Sequence, residues 1–187
     1  MNNFKISPFR SIYPVIFLLL SAWLTSCSGS EKRTTASTDQ QSVEDSVVRF
    51  NHQIVKSESQ EISDFILRYH WEMNETQTGL RYLVYKKGEG NRVEQGDVVA
   101  IKYKINLLNG DMVFRSDSIS LVHIEVGSRT VVSGLEEGLM LMKKGDRAKL
   151  IVPSHLAYGV LGDMAKIPAR AVLVYDVEVC AIKRSKK

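Results

Sequence analysis

Two cysteines, four histidines and a scatter of carboxylates are the side chains in this sequence that most readily do chemistry. His52, His70, His123 and His155 stand at no metal-ligand spacing, and no CxxC pair or His-rich tail accompanies them. The sequence therefore predicts no metal site and no cofactor. Asp146, Asp176 and Glu178 read as solvated strand and turn residues rather than as an acid–base pair. Cys180 reads as a small, partly buried hydrophobe in a strand. Cys27 sits in a different context, at the end of an apolar run, so the two cysteines do not suggest a disulfide framework.

The chain that must position any site has 187 residues, enough for one ordinary domain with extensions. Hydrophobic residues make up 44% and charged residues 25%, the balance of a globular protein rather than a disordered one. The formal charge of +4 is modest, and removal of Lys5 and Arg10 with the leader takes it to about +2. That balance gives no reason to expect a nucleic-acid partner.

Residues 1–27 read as an address. Lys5 and Arg10 precede an apolar stretch from Ile12 to Leu24, short for a bilayer span. The stretch ends in Leu24-Thr25-Ser26-Cys27, which resembles the bacterial lipobox. The resemblance implies a signal peptide over 1–26 and a lipidated, newly N-terminal Cys27. Several acyl chains anchor a protein stably where one does not. A plain secretory signal or an uncleaved anchor is the alternative, and each places the remainder outside the cytoplasm. Residues 27–42 lack large apolar side chains and read as a flexible tether. No aspartate follows Cys27, which by analogy with enteric bacteria favours the outer over the inner membrane.

From residue 43 the texture changes, and 43–77 is expected to be a helical extension. Val43, Val47, Phe50 and Ile54 recur at helical spacing, as do Ile62, Phe65, Ile66 and Tyr69 in a second helix extended by Trp71 and Met73. The plain reading packs these helices on the next domain or on a second copy; the alternative is a dedicated client-binding or dimerising arm. Residues 78–187 alternate as strands: 80–85, 98–105, 122–126, 148–152 and 171–182, with Asn109-Gly110 as a turn. Between them, residues 134–145 read as one short helix ending at Gly145. Many strands around one short helix predict an α+β fold with an antiparallel sheet. The basic tail from Lys183 to Lys187 reads as a solvated terminus.

Four motifs in order carry a family resemblance: Val131-Val132-Ser133-Gly134-Leu135-Glu136-Glu137-Gly138-Leu139, Met142-Lys143-Lys144-Gly145-Asp146, Pro153-Ser154-His155-Leu156-Ala157-Tyr158-Gly159, and Lys166-Ile167-Pro168 followed by Leu173-Val174-Tyr175-Asp176-Val177-Glu178-Val179. From about residue 79 to 182 the chain resembles the FKBP-type peptidyl-prolyl cis/trans isomerases. Gly162-Asp163 before Lys166-Ile167-Pro168, with the lipobox, further resembles lipoprotein FKBPs of the Bacteroidetes, including relatives linked to gliding motility. The resemblance implies a five-stranded antiparallel half-barrel wrapped over one short helix. It also implies rotamase activity on proline-containing clients, with macrolide inhibitors as ligands.

Carried over residue by residue, Tyr103, Phe114, Leu135 and Tyr175 would line the walls and floor of the cleft, and Val131 and Val132 would border it. The Val132 N–H would bond a substrate or macrolide carbonyl, Tyr158 would donate its hydroxyl near the proline, and Ile167 would sit in the flap loop. Three positions depart from the pattern. Arg115 replaces an aspartate, Leu135 a tryptophan and Val122 a phenylalanine, changes expected to lower activity or macrolide affinity. The functional expectation is a lipid-anchored isomerase facing the periplasm. The alternative is a non-catalytic FKBP-fold chaperone or binding subunit of an envelope complex.

Overall fold

The structure, a computed structural model, describes residues 36–116 and 121–184. The signal peptide expected over 1–26, Cys27, the part of the expected tether before residue 36 and the last tail residues 185–187 lie outside the described residues. The chain divides into two compact units, Met1–Val47 and Val48–Lys187. In the first, the described residues from 36 onward are helical.

One helix, α1 (Ala36–Tyr69), replaces the two helices expected, and residues 36–42 assigned to the tether are its first turns. The physical reason is the absence of any glycine or proline from 36 to 69. Once nucleated, a helix propagates through polar residues at little cost. Serines within it are accommodated by back-bonding: Ser57 Oγ donates to the Ile54 carbonyl at 2.9 Å and Ser63 Oγ to that of Ser59 at 2.8 Å. The helix stops where His70 turns to a φ of 53°. There the Trp71 N–H donates to the Ile66 carbonyl at 3.2 Å, a Schellman-type end in which histidine takes the place usual for glycine. Trp71 and Met73, expected on the helix, therefore lie past its end.

All strand pairs are antiparallel. The strands are β1 (Asn74–Glu75), β2 (Arg81–Lys86), β3 (Val98–Leu107), β4 (Met112–Arg115), β5 (Val122–Glu125), β6 (Arg147–Val152) and β7 (Leu173–Lys183). Their order is β1-β2-β6-β7-β3-β4, with β5 also on β3. β4 faces Lys104–Asn106 and β5 faces Val98–Ile101, so the two act as one interrupted edge strand. Setting aside the two-residue β1, this gives the five-stranded sheet that the family resemblance implies.

Helix α2 (Ser133–Met140) lies across the inner face, burying Gly134, Leu135, Gly138 and Leu139. A Cβ at Gly134 would sit 2.3 Å from Val152 Cγ1, and one at Gly138 2.4 Å from Leu150 Cδ1, so glycine sets how closely α2 approaches β6. The inner core joins Val99, Ile101 and Ile105 of β3, Leu150 of β6 and Tyr175 and Val177 of β7 to Leu135 and Leu139. A smaller cluster on the other face seats Ile62 and Phe65 of α1 on Ile151, Val172 and Val174.

Helix α2 ends five residues before Gly145, where the sequence placed its end. The reason is pairing: the Met142 carbonyl accepts the Val93 N–H at 3.0 Å, and Lys143 bridges to Arg92. The chain must leave the helix to make those bonds, and Gly145, at φ 90°, serves the turn into β6. Asp146 is corrected too. It is buried at 5% exposure, and its carboxylate accepts the N–H groups of Gly88 at 2.5 Å and Lys143 at 2.7 Å. It anchors that turn because buried donors need acceptors.

Candidate active site

Three tyrosines converge on the concave side of the sheet. Tyr103 comes from β3 and Tyr175 from β7, paired strands whose inward positions alternate with outward charges. Their ring centroids are 6.1 Å apart at 34°. Phe114 of β4 stacks on Tyr103 at 5.1 Å and 25°. Tyr158 arrives from the loop after β6, near enough that its charge acts on both other phenols. Burial foremost, and Tyr158 next, push the Tyr103 hydroxyl above its ordinary pKa; the same causes act more strongly on Tyr175. Both phenols therefore stay neutral through the working range of a protein. Among the described residues no hydrogen bond engages the hydroxyl of Tyr103, Tyr158 or Tyr175.

The remaining wall is the start of α2. Val131 and Val132 are half-buried against the core, and Leu135 is buried beneath them. Val132 is the N-cap, extended at φ −61° and ψ 141°, and no side chain caps the helix. Its carbonyl accepts the N–H groups of Leu135 and Glu136. Its own N–H meets no acceptor among the described residues, as expected of a donor at a helix start.

A folded loop from residue 153 to 171 carries Tyr158 and Ile167. Its tip is built on Asp163, whose Oδ1 accepts the N–H groups of Ala165 at 2.9 Å, Lys166 at 2.8 Å and Ile167 at 2.6 Å. Those donors, Ile167 first, hold the Asp163 carboxyl below the usual aspartate range. The turn pulls Ile167 into the core at 5% exposure. It leaves Val160, Leu161 and Met164 outside at 66%, 69% and 86% exposure. This apolar rim and the Asp163 anchor are features the motifs did not reveal. An aspartate followed by three amides that turn back on it is the signal that marks such a turn.

The sheet's other face is charged. A cavity of about 290 Å³ there is lined by Lys102, Lys104, Arg115, Arg147, Asp176 and Glu178, with Tyr85 beside it. Arg147 pairs with Glu178 at 2.9 Å and Lys149 with Asp176. The Tyr85 hydroxyl donates to Asp176, and burial with that acceptor pushes its pKa up to about 12. Arg115, expected in the cleft in place of an aspartate, lines this outer cavity instead, because it alternates with Phe114 along β4. Val122 packs against the core from β5, opposite Ile101. The structure therefore brings Tyr103, Phe114, Val131, Val132, Leu135, Tyr158 and Tyr175 together, with Ile167 buried under the loop.

Residues 89–180 match the family described as FKBP-type peptidyl-prolyl cis-trans isomerase. Among curated proteins the chain is similar to the FKBP-type isomerase FkpA of Escherichia coli (strain K12), 36% identical over 110 residues, 59% of this chain and 40% of that protein. It is also similar to FkpA of Buchnera aphidicola subsp. Schizaphis graminum, 35% identical over 112 residues, 59% of this chain and 44% of that one. The chain spans less than half the length of these curated relatives. Among solved structures, FkpA from Escherichia coli superposes with a TM-score of 0.60 at 24% identity, covering 92% of this chain and 82% of that one. A peptidyl-prolyl isomerase from Pseudomonas syringae gives 0.62 at 22%, covering 71% and 96%.

Proposed function

We propose that this protein catalyses rotation about X–Pro peptide bonds, a reading supported by the match of residues 89–180 to the FKBP-type peptidyl-prolyl cis-trans isomerase family. The observation that carries the proposal is the cleft itself: an aromatic wall whose three tyrosine hydroxyls, like the Val132 N–H bordering it, have no hydrogen-bond partner among the described residues.

The chemistry asked of it is small. Rotation about an X–Pro bond faces a barrier of about 20 kcal/mol set by amide resonance, with no bond made or broken. Stacked Tyr103 and Phe114, buried Tyr175 and Leu135 present a surface that strips water from the amide, favouring its twisted and less polar form. The Val132 N–H and the Tyr158 hydroxyl would each take a carbonyl flanking the proline, holding the peptide in the bend that accompanies the twist. Each tenfold in rate needs about 1.4 kcal/mol, the scale of one or two such bonds.

The test is a proline-peptide isomerisation assay on the purified protein and on Tyr158→Phe. The variant is expected to lose roughly five- to tenfold in kcat/KM, equivalent to about 1 kcal/mol for one hydrogen bond. Wild-type rates equal to the uncatalysed reaction would sink the enzyme reading. The exposed rim of Val160, Leu161 and Met164 favours a second reading, a surface that holds unfolded segments without turning them. That reading expects client binding unaffected by Tyr158→Phe and no rate enhancement.

The proposal extends to place and clients. The lipobox at Leu24–Cys27 supports a lipoprotein of the cell envelope, acylated at Cys27 and facing the periplasm, with the outer membrane favoured. The clients would then be exported proteins. The combination with Gly162-Asp163 and Lys166-Ile167-Pro168 supports placement beside the Bacteroidetes lipoprotein FKBPs. Macrolides would occupy the same cleft.

A further inference from the structure

Helix α1 lies outside the cleft, yet within the unit Val48–Lys187 it grips the loop that carries Tyr158 at both ends. At the near end Glu58 spends its whole carboxylate on one residue: the Ser154 N–H donates to Oε1 at 2.7 Å and the Ser154 hydroxyl to Oε2 at 2.6 Å. Two charge-assisted bonds to one acceptor group fix both distance and orientation. Ser154 is buried at 8% exposure, and its carbonyl accepts the Ala157 N–H at 3.0 Å and the Gly159 N–H at 2.8 Å. Those two bonds close the turn on either side of Tyr158. At the far end the Arg170 guanidinium lies 5.7 Å from the centre of the Phe50 ring, and the Arg170 N–H donates to the Gly159 carbonyl at 2.8 Å. The other ties, His155 Nε2 at 2.9 Å from the Thr78 carbonyl and Ser133 Oγ donating to that of Leu156 at 3.3 Å, hold residues 155 and 156. Neither touches Ser154 or Gly159.

We propose that Glu58 is a positioning residue for Tyr158: by clamping Ser154 from α1 it fixes the turn that aims the Tyr158 hydroxyl into the cleft. This rests on the isomerase reading for its catalytic consequence, and on geometry alone for its hold on the loop. An ordinary stability contact would weaken the whole domain. A positioning contact acts through Tyr158, so its effect vanishes when the hydroxyl is gone.

The test uses the full chain as wild type, Glu58→Ala, Glu58→Gln, Tyr158→Phe and the double variant Glu58→Ala/Tyr158→Phe. Two readouts are taken: kcat/KM on a proline peptide, and hydrogen exchange at the amides of Ala157 and Gly159. Glu58→Ala is expected to lower kcat/KM roughly fivefold, the factor for one misaimed hydrogen bond. In the Tyr158→Phe background the same change is expected to cost less than about twofold, as coupled residues do. Exchange at Ala157 and Gly159 should quicken about tenfold while β6 and β7 amides stay as slow as before, the pattern of a local opening. In Glu58→Gln the amide carbonyl can accept from the Ser154 N–H and its NH2 donate to Ser154 Oγ, so rates should return to within about twofold of wild type.

An equal loss in both backgrounds, or unchanged exchange at Ala157 and Gly159, overturns the proposal. An inactive wild type overturns the isomerase reading alone, since the exchange experiment still decides whether Glu58 holds the loop.

Discussion

A single carboxylate sets the tip of the loop over the cleft. Asp163 gathers three backbone N–H groups on one oxygen, in a turn where Met164 sits at φ 58° and where a Cβ at Gly162 would lie 2.2 Å from the Ile167 carbonyl. The pKa of that carboxyl is held down by Ile167 and Ala165 above all. A group whose folded pKa lies below its unfolded value stabilises the fold above the unfolded value, and the contribution is lost as pH falls through the folded one. The ordinary aspartate value is about 3.9. The amide shifts of residues 165–167 should therefore titrate together with a midpoint below that value, and Asp163→Ala should abolish the titration. A midpoint at or above about 3.9 contradicts the anchor. At this scale the motifs named Val132, Leu135, Tyr158 and Tyr175, and the family resemblance they carry added Tyr103 and Phe114. It hid Glu58, whose partner is 96 residues away, because nothing local in a polar helix marks one glutamate among several. It also misplaced Arg115, since motif position records sequence order and not the face to which an alternating strand turns its side chain.

Elements meet in this domain through small residues. Helix α2 can lie on β6 because Gly134 and Gly138, one turn apart, offer no side chain to Val152 and Leu150. At Gly134 the neighbours include backbone as well as side chain, with the Leu156 carbonyl 3.3 Å from an added Cβ. Gly134→Ala gains helix propensity of about 1 kcal/mol yet must displace a sealed core, which costs roughly 1–3 kcal/mol. The variant should unfold at lower urea concentration than wild type, with an unchanged slope. A higher midpoint would show that α2 has room the structure denies it. The strands β2, β3, β5, β6 and β7 were legible because alternation or an apolar run spells each one. β1 and β4 were not, being two and four residues long and held by their neighbours rather than by their own composition. The seam between the two helices expected in α1 was equally illegible: apolar spacing lapses after Ile54, but lapsed spacing does not break a helix that has no glycine or proline.

Over the whole molecule, the cleft and the proposed anchor are assembled from separate stretches of chain. Every residue brought together in the cleft lies between 103 and 175, on strands, at the start of α2 or on the loop after β6, around a core closed within Val48–Lys187. The proposed lipid site is Cys27, in the other unit. Catalysis and anchoring should therefore be separable by one substitution. In cells labelled with radioactive palmitate, the wild type is expected to carry label and to sediment with membranes. Each buried methylene contributes about 0.8 kcal/mol to that attachment, and several chains make it stable. Cys27→Ala should lose the label and remain at the length of the unprocessed chain, because the signal is read at the cysteine. Its kcat/KM on a short proline peptide should match the wild type within about twofold, since Cys27 is not among the residues that form the cleft. An unlabelled wild type overturns the anchor and leaves the isomerase reading standing. A labelled wild type with a slowed Cys27→Ala would show instead that catalysis depends on the anchor.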